Sequence, residues 1–307
     1  MMEYDNTEKI CKYYLEKCGF YHVINDFLSF IEGVRINITQ NHLELKQNYI
    51  RQYDYGHISS ELSIKGMIKL CEIGDFVDAF VLLRKIRDNV LLDYFFINDF
   101  INNVPKSNDN DAKFNPNNVD EIIDYIAKYI VEKSNYDATN NEKKLIEKWF
   151  KTDNKSKEFK DTYKYSNYKN TLNESLNGNV EFLKKIMDNL DRIFNNYTHS
   201  NGLIYLNNPQ LKENIVNKIN VICSCIKDLE IVFLIYAFYI NPLLLQSSDY
   251  LDYLDAGLNP PEECKYYIFP AALNIFKRIK NINQHYFKVL KENNRYGLFI
   301  EEIDYNK

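Results

Sequence analysis

Arg192 and His199, seven positions apart in the stretch RIFNNYTH, are the pair in this chain best suited to act together on a substrate. A histidine titrates near neutrality and can move a proton during a reaction. A guanidinium is a permanent cation that can grip a phosphate through two parallel N–H donors. On an α-helix, a separation of seven stacks two side chains on one face two turns apart, and Asn195 stands between them. Asn195 and Asn196 add neutral amides that can position a phosphate. These are the parts needed to cleave RNA without a metal: a proton carrier and a cation for the charge that builds on phosphorus. The same pattern also suits a plain solvated face, with His199 favoured by the dipole at a helix C-terminus.

The element that carries them must be a helix with a core-facing side. At about 100° per residue, Leu183, Ile186, Met187, Leu190, Ile193, Phe194 and Tyr197 fall within an arc of roughly 120°. Lys185, Asp188, Arg192, Asn195, Asn196 and His199 occupy the opposite arc, and Gly202 is placed to end the helix. One helix forms only one edge of a cleft, so a complete site requires two such helices from two subunits.

The remainder of the chain supports an all-α fold. With only 9 Gly and 7 Pro in 307 residues there are few breakers, and apolar residues recur at helical spacing. The expected organisation is a single large all-α domain over 1–307, a helical bundle interrupted by polar loop or insertion segments at 104–119 and 151–170. Helices are expected over Thr7–Cys18 and Tyr21–Ile31, separated by Gly19, and over Leu43–Tyr53, while GVRINITQ (33–40) alternates briefly and is the one strand candidate. Asp75 can cap a long helix through FVDAFVLLRKIRDNVLLDYFFINDF, in which Arg84, Lys85, Arg87 and Asp88 imply buried or interfacial ion pairs. Further helices are expected from Asp120 to about Lys133 and from Glu142 to Phe150. A very long helix starts near Pro209 and stops at Asn241-Pro242. Its apolar run Ile231–Ile240 is too short for a membrane span and suits a buried core helix. The last helix is expected from Phe269 to about Asn293.

An Arg, four to six intervening residues and a His near the end of a helix in an all-α chain resemble the signature of the HEPN superfamily (higher eukaryotes and prokaryotes nucleotide-binding domains). Arg192 and His199 match its two positions with six residues between them. The place after the Arg, polar in the family, holds Ile193, for which Asn195 or Asn196 can substitute. The resemblance covers a HEPN-like core of roughly 75–100 plus 179–293. It implies a metal-independent endoribonuclease of the toxin, abortive-infection or anti-phage type, built as a homodimer with the active site at the interface. His199 would be the general acid/base, Arg192 the phosphate ligand, and cleavage would leave a 2′,3′-cyclic phosphate. RNA, tRNA among it, is then the expected substrate, and a neutralising or activating protein the expected partner.

Charge and composition set the other expectations. The net charge of −5 argues against a chain that coats nucleic acid with its whole surface. Between residues 143 and 169, however, nine lysines face four acids, interleaved with aromatic residues able to stack bases. Lys151, Lys155, Lys157, Lys160, Tyr163, Lys164 and Lys169, with Lys185 on the helix, are therefore candidate RNA contacts, weighed against a merely solvated loop. The six cysteines are scattered and no leader-like segment opens the chain, so a cytoplasmic protein with reduced core thiols is expected. No phosphate-cradling glycine loop, nucleophile elbow or metal-ligand spacing is present, so no cofactor or metal is expected. The competing expectation is a non-catalytic helical dimer that binds a protein or nucleotide.

Overall fold

The computed structural model describes residues 2–42, 55–103, 165–176, 181–199 and 212–301. Their α-helices are α1 (Met2–Lys17), α2 (Phe20–His42), α3 (Tyr55–Ile73), α4 (Phe76–Asn103), α5 (Tyr165–Glu174), α6 (Glu181–Thr198), α7 (Lys212–Ile240), α8 (Asp249–Asp255), α9 (Pro270–Ile282) and α10 (Gln284–Glu292), with short 3₁₀ turns η1 (Pro242–Leu245) and η2 (Glu262–Tyr266). No strand occurs among the described residues; one isolated bridge joins Gln246 and Ile268. The all-α bundle expected from the spacing is the observed fold class.

Glycines set two of the corners. Gly19, at φ 68°, separates α1 from α2, and Gly74, at φ 87°, separates α3 from α4. Around Gly74 the Asp75 amide bonds to the Leu70 carbonyl (2.8 Å) and the Gly74 amide to that of Cys71 (3.1 Å), a left-handed helix stop that a side chain would strain. Asp75 then opens α4, its carboxylate accepting from the Asp78 amide at 3.3 Å.

Packing centres on α7, which touches α1, α2, α4, α6 and α9, and whose residues 231–238 are all buried. An apolar helix of this kind is stable only when neighbours surround it. No helix among the described residues is long and apolar enough to cross a membrane. The helix α4 runs antiparallel to α6: Phe80 stacks on Tyr197 with ring centroids 3.6 Å apart, and Arg87 lies over the Phe194 ring at 5.2 Å. It is also antiparallel to α3, since Asn89 bonds to Ser59 and Asp93 reaches Gly56 and His57.

Several elements differ from the sequence expectation. The strand candidate 33–40 lies inside α2, where Gly33 lets the Phe269 ring approach: a Cβ there would sit 2.8 Å from it. Asn37, at the same stretch, is buried and donates to the Leu244 and Gln246 carbonyls, so its neighbour's alternation reflects helix packing. The single last helix is two, broken at Asn283, whose side chain caps α10 by accepting from the Tyr286 amide. Of the polar segment 151–170, the described part from residue 165 is helical. The expected helices at Leu43–Tyr53, Asp120–Lys133 and Glu142–Phe150, and the loop 104–119, lie outside the described residues.

Candidate functional site

The apolar arc of α6 packs as expected, with Leu183, Met187, Leu190, Phe194 and Tyr197 buried and Ile186 and Ile193 partly so. The opposite side divides into two parallel stripes. One carries Lys185, Asn189, Arg192, Asn196 and His199 and faces solvent; the other carries Lys184, Asp188, Asp191 and Asn195 and faces α4 and α5.

On the outer stripe, Arg192 is exposed and donates from Nη2 to the Asn189 side-chain oxygen at 2.9 Å. His199 is exposed just past the helix end, its amide bonded to the Asn195 carbonyl at 3.0 Å. Asn196 is half-buried, and Lys185 lies 3.6 Å from Glu181 with both side chains largely in water. A guanidinium that rests on a neutral amide keeps its charge for an incoming anion.

The inner stripe borders a cleft of about 600 Å³. Arg84 and Arg87 come from α4, Tyr165, Ser166, Lys169, Asn170 and Asn173 from α5, and Lys184, Asp188, Asp191 and Asn195 from α6. Asn195 is thus a cleft residue, one turn before His199. At the floor, Arg87 is 2% exposed, held by Asp88 at 2.8 Å and by Asp191, with the Tyr165 ring 4.1 Å from its guanidinium carbon. Asp191 is the shared acceptor: its carboxylate also receives Tyr165 Oη at 3.0 Å and Lys169 Nζ at 2.7 Å. Burial disfavours the Arg87 charge, but Asp88, Tyr165 and Asp191 more than offset it and hold its pKa above the ordinary value. Burial also raises the Asp88 carboxyl, opposed by the same guanidinium. Tyr236 Oη donates to Asn173 Oδ1 at 2.7 Å and ties α5 to α7.

Of the expected RNA contacts, the two that are described stand apart. Lys169 lies in the cleft wall, 15% exposed and committed to Asp191; Lys185 is on the open face; Lys151, Lys155, Lys157, Lys160, Tyr163 and Lys164 lie outside the described residues. The ion pairing expected of Arg87 and Asp88 is present, and Arg87 lines the inner cleft, not the Arg192–His199 stripe. Arg84 was expected only as an ion-pairing residue and Tyr165 only as one aromatic of the basic segment, while Asn170, Asn173 and Lys184 were not singled out, because their convergence depends on how three helices pack.

A second polar cluster lies in the core. His57 Nδ1 and Asp93 Oδ2 are 2.6 Å apart, and the same carboxylate accepts from the amides of Gly56 (3.1 Å) and His57 (2.8 Å). His57 Nε2 and Tyr94 Oη, on rings 5.7 Å apart, have no hydrogen-bond partner among the described residues. Burial raises the Asp93 carboxyl and His57 opposes it. Local spacing could not reveal this pair, whose members are 36 positions apart.

Among the described residues, no group of three or more His, Cys, Asp or Glu could hold a metal ion. All six cysteines are free thiols, five of them buried and Cys18 half-buried. No family model, curated protein or solved structure matches this chain.

Proposed function

We propose that this chain is a HEPN-like, metal-independent endoribonuclease acting as a homodimer in the cytoplasm, an anti-phage or toxin effector held in check or triggered by a protein partner. One observation carries the reading: Arg192 and His199 share an exposed stripe of α6, and the guanidinium leans on an amide rather than a carboxylate. His199 takes the proton of a ribose 2′-hydroxyl, whose oxygen attacks the adjacent phosphorus. Arg192 binds the phosphate as its charge rises, and the 5′-oxygen leaves with a proton returned by the second His199 of the dimer. The products are a 2′,3′-cyclic phosphate and a 5′-hydroxyl.

The test is cleavage of total RNA and tRNA in EDTA by the wild type, His199→Ala and Arg192→Ala, each checked for equal helicity. Cleavage by the wild type alone, with cyclic-phosphate ends, supports the mechanism. Uncut RNA with the wild type, or cleavage that both variants retain, would sink it.

One feature favours a non-catalytic dimer that presents the same stripe to a protein or nucleotide: the position after Arg192 is Ile193, half-buried on the core side. Such a dimer binds RNA or nucleotide without cutting it.

A further inference from the structure

We infer that the cleft between α4, α5 and α6 is a subsite for the ribose-phosphate backbone of single-stranded RNA, about two to three nucleotides long, next to the His199–Arg192 stripe. Which way the strand runs rests on the RNA-cleaving reading; the binding itself does not.

Size and lining point to this class of ligand. A volume of about 600 Å³ lies within the roughly 300–1,000 Å³ usual for small-ligand sites. Such sites are mostly apolar, yet no aliphatic side chain lines this one among the described residues. Its apolar surface is limited to the stems of polar side chains and one tyrosine ring. Four cations, Arg84, Arg87, Lys169 and Lys184, line the cleft against Asp188 and Asp191, and with Asp88 behind Arg87 an excess of one positive charge remains in a chain whose net charge is −5.

The ion pairs show which of these groups are free to act. Arg87 and Lys169 are committed to Asp88 and Asp191 and form the floor. Arg84 lies 4.0 Å from Asp88, at the edge of ion-pair range, with its side chain 31% exposed. Lys184 is exposed on α6, with no ion pair among the described residues. These two are the cations left for phosphate, one at each end of the cleft: Arg84 is level with Asn195, and Lys184 lies eleven residues back along α6, about 16 Å at 1.5 Å per residue. Asp188 is 60% exposed and 3.9 Å from Lys169, so its oxygens can accept from ribose hydroxyls, a contact that RNA offers and DNA lacks.

An aromatic platform for bases is the part in which the cleft is poorest. Tyr165 is the one aromatic residue in its lining, and its ring is covered by the Arg87 guanidinium at 4.1 Å, with Lys169 Nζ 5.6 Å away. A single ring already engaged by cations separates this cleft from sites that grip single strands through several stacked bases. Asn195 lies four residues, about 6 Å of helix, before His199, so a backbone held in the cleft leads onto the reactive stripe.

The experiment is fluorescence anisotropy of labelled octamers rU8, rA8 and dT8 on the full chain carrying His199→Ala, so that the RNA stays whole, with ribose 5-phosphate as competitor. Lys184→Glu and Arg84→Gln should each weaken both RNAs about tenfold and by the same factor. Arg84→Gln should also flatten the slope of log K against log salt by about 0.7, one phosphate contact on a single strand. Asp188→Asn should narrow the preference for RNA over dT8. Competition by ribose 5-phosphate but not by free uridine would show that the cleft takes one ribose phosphate alone as well as within a strand; competition by neither would confine it to the strand. Unchanged affinity in Lys184→Glu and Arg84→Gln, or losses that differ between rU8 and rA8, overturns the inference. If the wild type fails to cut RNA while these variants still lose binding, the cleft stands and the catalytic reading falls.

Discussion

Asp191→Asn removes one negative charge from the point where three helices meet. The carboxylate accepts from Arg87 on α4 and from Tyr165 and Lys169 on α5, while itself belonging to α6. Breaking a buried ion pair by removing one partner costs about 3–5 kcal/mol when the remaining charge is left uncompensated. Two features of the site reduce that figure. Arg87 keeps Asp88 at 2.8 Å, and the Asp191 side chain is 24% exposed, so water can replace part of what is lost. The amide can still accept from Tyr165, which leaves a net loss of about 2 kcal/mol. Urea unfolding followed by far-UV circular dichroism measures it. A double-mutant cycle with Arg87→Leu and Asp191→Leu isolates the pair, for which a coupling of about 1–3 kcal/mol is expected. A loss below about 0.5 kcal/mol, or additive single changes, would refute the assignment of Asp191 as the acceptor that holds α4 and α5 to α6.

Other substitutions test other parts of the fold. Gly56→Ala would drive a Cβ into the Asn89 carbonyl oxygen and the Asp93 carboxylate, and should cost about 2–4 kcal/mol in the same urea assay; a neutral result would mean that α3 and α4 are not this close. Tyr94→Phe deletes a buried hydroxyl with no hydrogen-bond partner among the described residues, so stability should hold or rise by about 1 kcal/mol, and a clear loss would reveal a partner for it. Asp228 has its pKa pushed up to about 6 by burial, opposed by Arg278. The folded chain therefore binds this proton more tightly than the unfolded chain, and the associated stability is full below about pH 4 and lost as pH rises through about 6. Asp228→Asn should then gain on the wild type by about 1–2 kcal/mol between pH 4.5 and 7.5, after allowing for its partial exposure; an equal difference at both pH values would exclude the linkage.

The sequence was most legible where one face of a helix meets the core and the other meets water. In α6 the arc drawn from spacing is the buried side. In α4 the Gly-Asp start and the Arg87–Asp88 pair had their expected roles, while Lys85 is exposed. The helix α3 was not foreseen because its pattern is inverted: His57 and Ser60 are fully buried while Leu62 is 65% and Ile73 54% exposed. Ser60 and Ser63 are accommodated by donating to carbonyls one turn back, and His57 by Asp93, so partners rather than polarity decide what is buried. In α2, alternation over eight residues was too short to outweigh a helix held by contacts with α7 and η1. The outer stripe of the candidate site was visible because it lies on one element. The cleft was not, since Arg84, Tyr165 and Lys184 meet only once α4, α5 and α6 are assembled.

The Asp93 carboxylate also bears on the order in which the chain assembles. The first amides of α3, at Gly56 and His57, find their acceptor on α4, 36 and 37 positions later. Many helices begin on a cap supplied by their own flanking residues, whereas these two amides have as their acceptor a carboxylate that is in place only once α4 has formed and folded back. During synthesis the beginning of α3 must wait for Asp93 to emerge, and in the finished protein those two amides should exchange with solvent only when the α3–α4 hairpin opens as one unit.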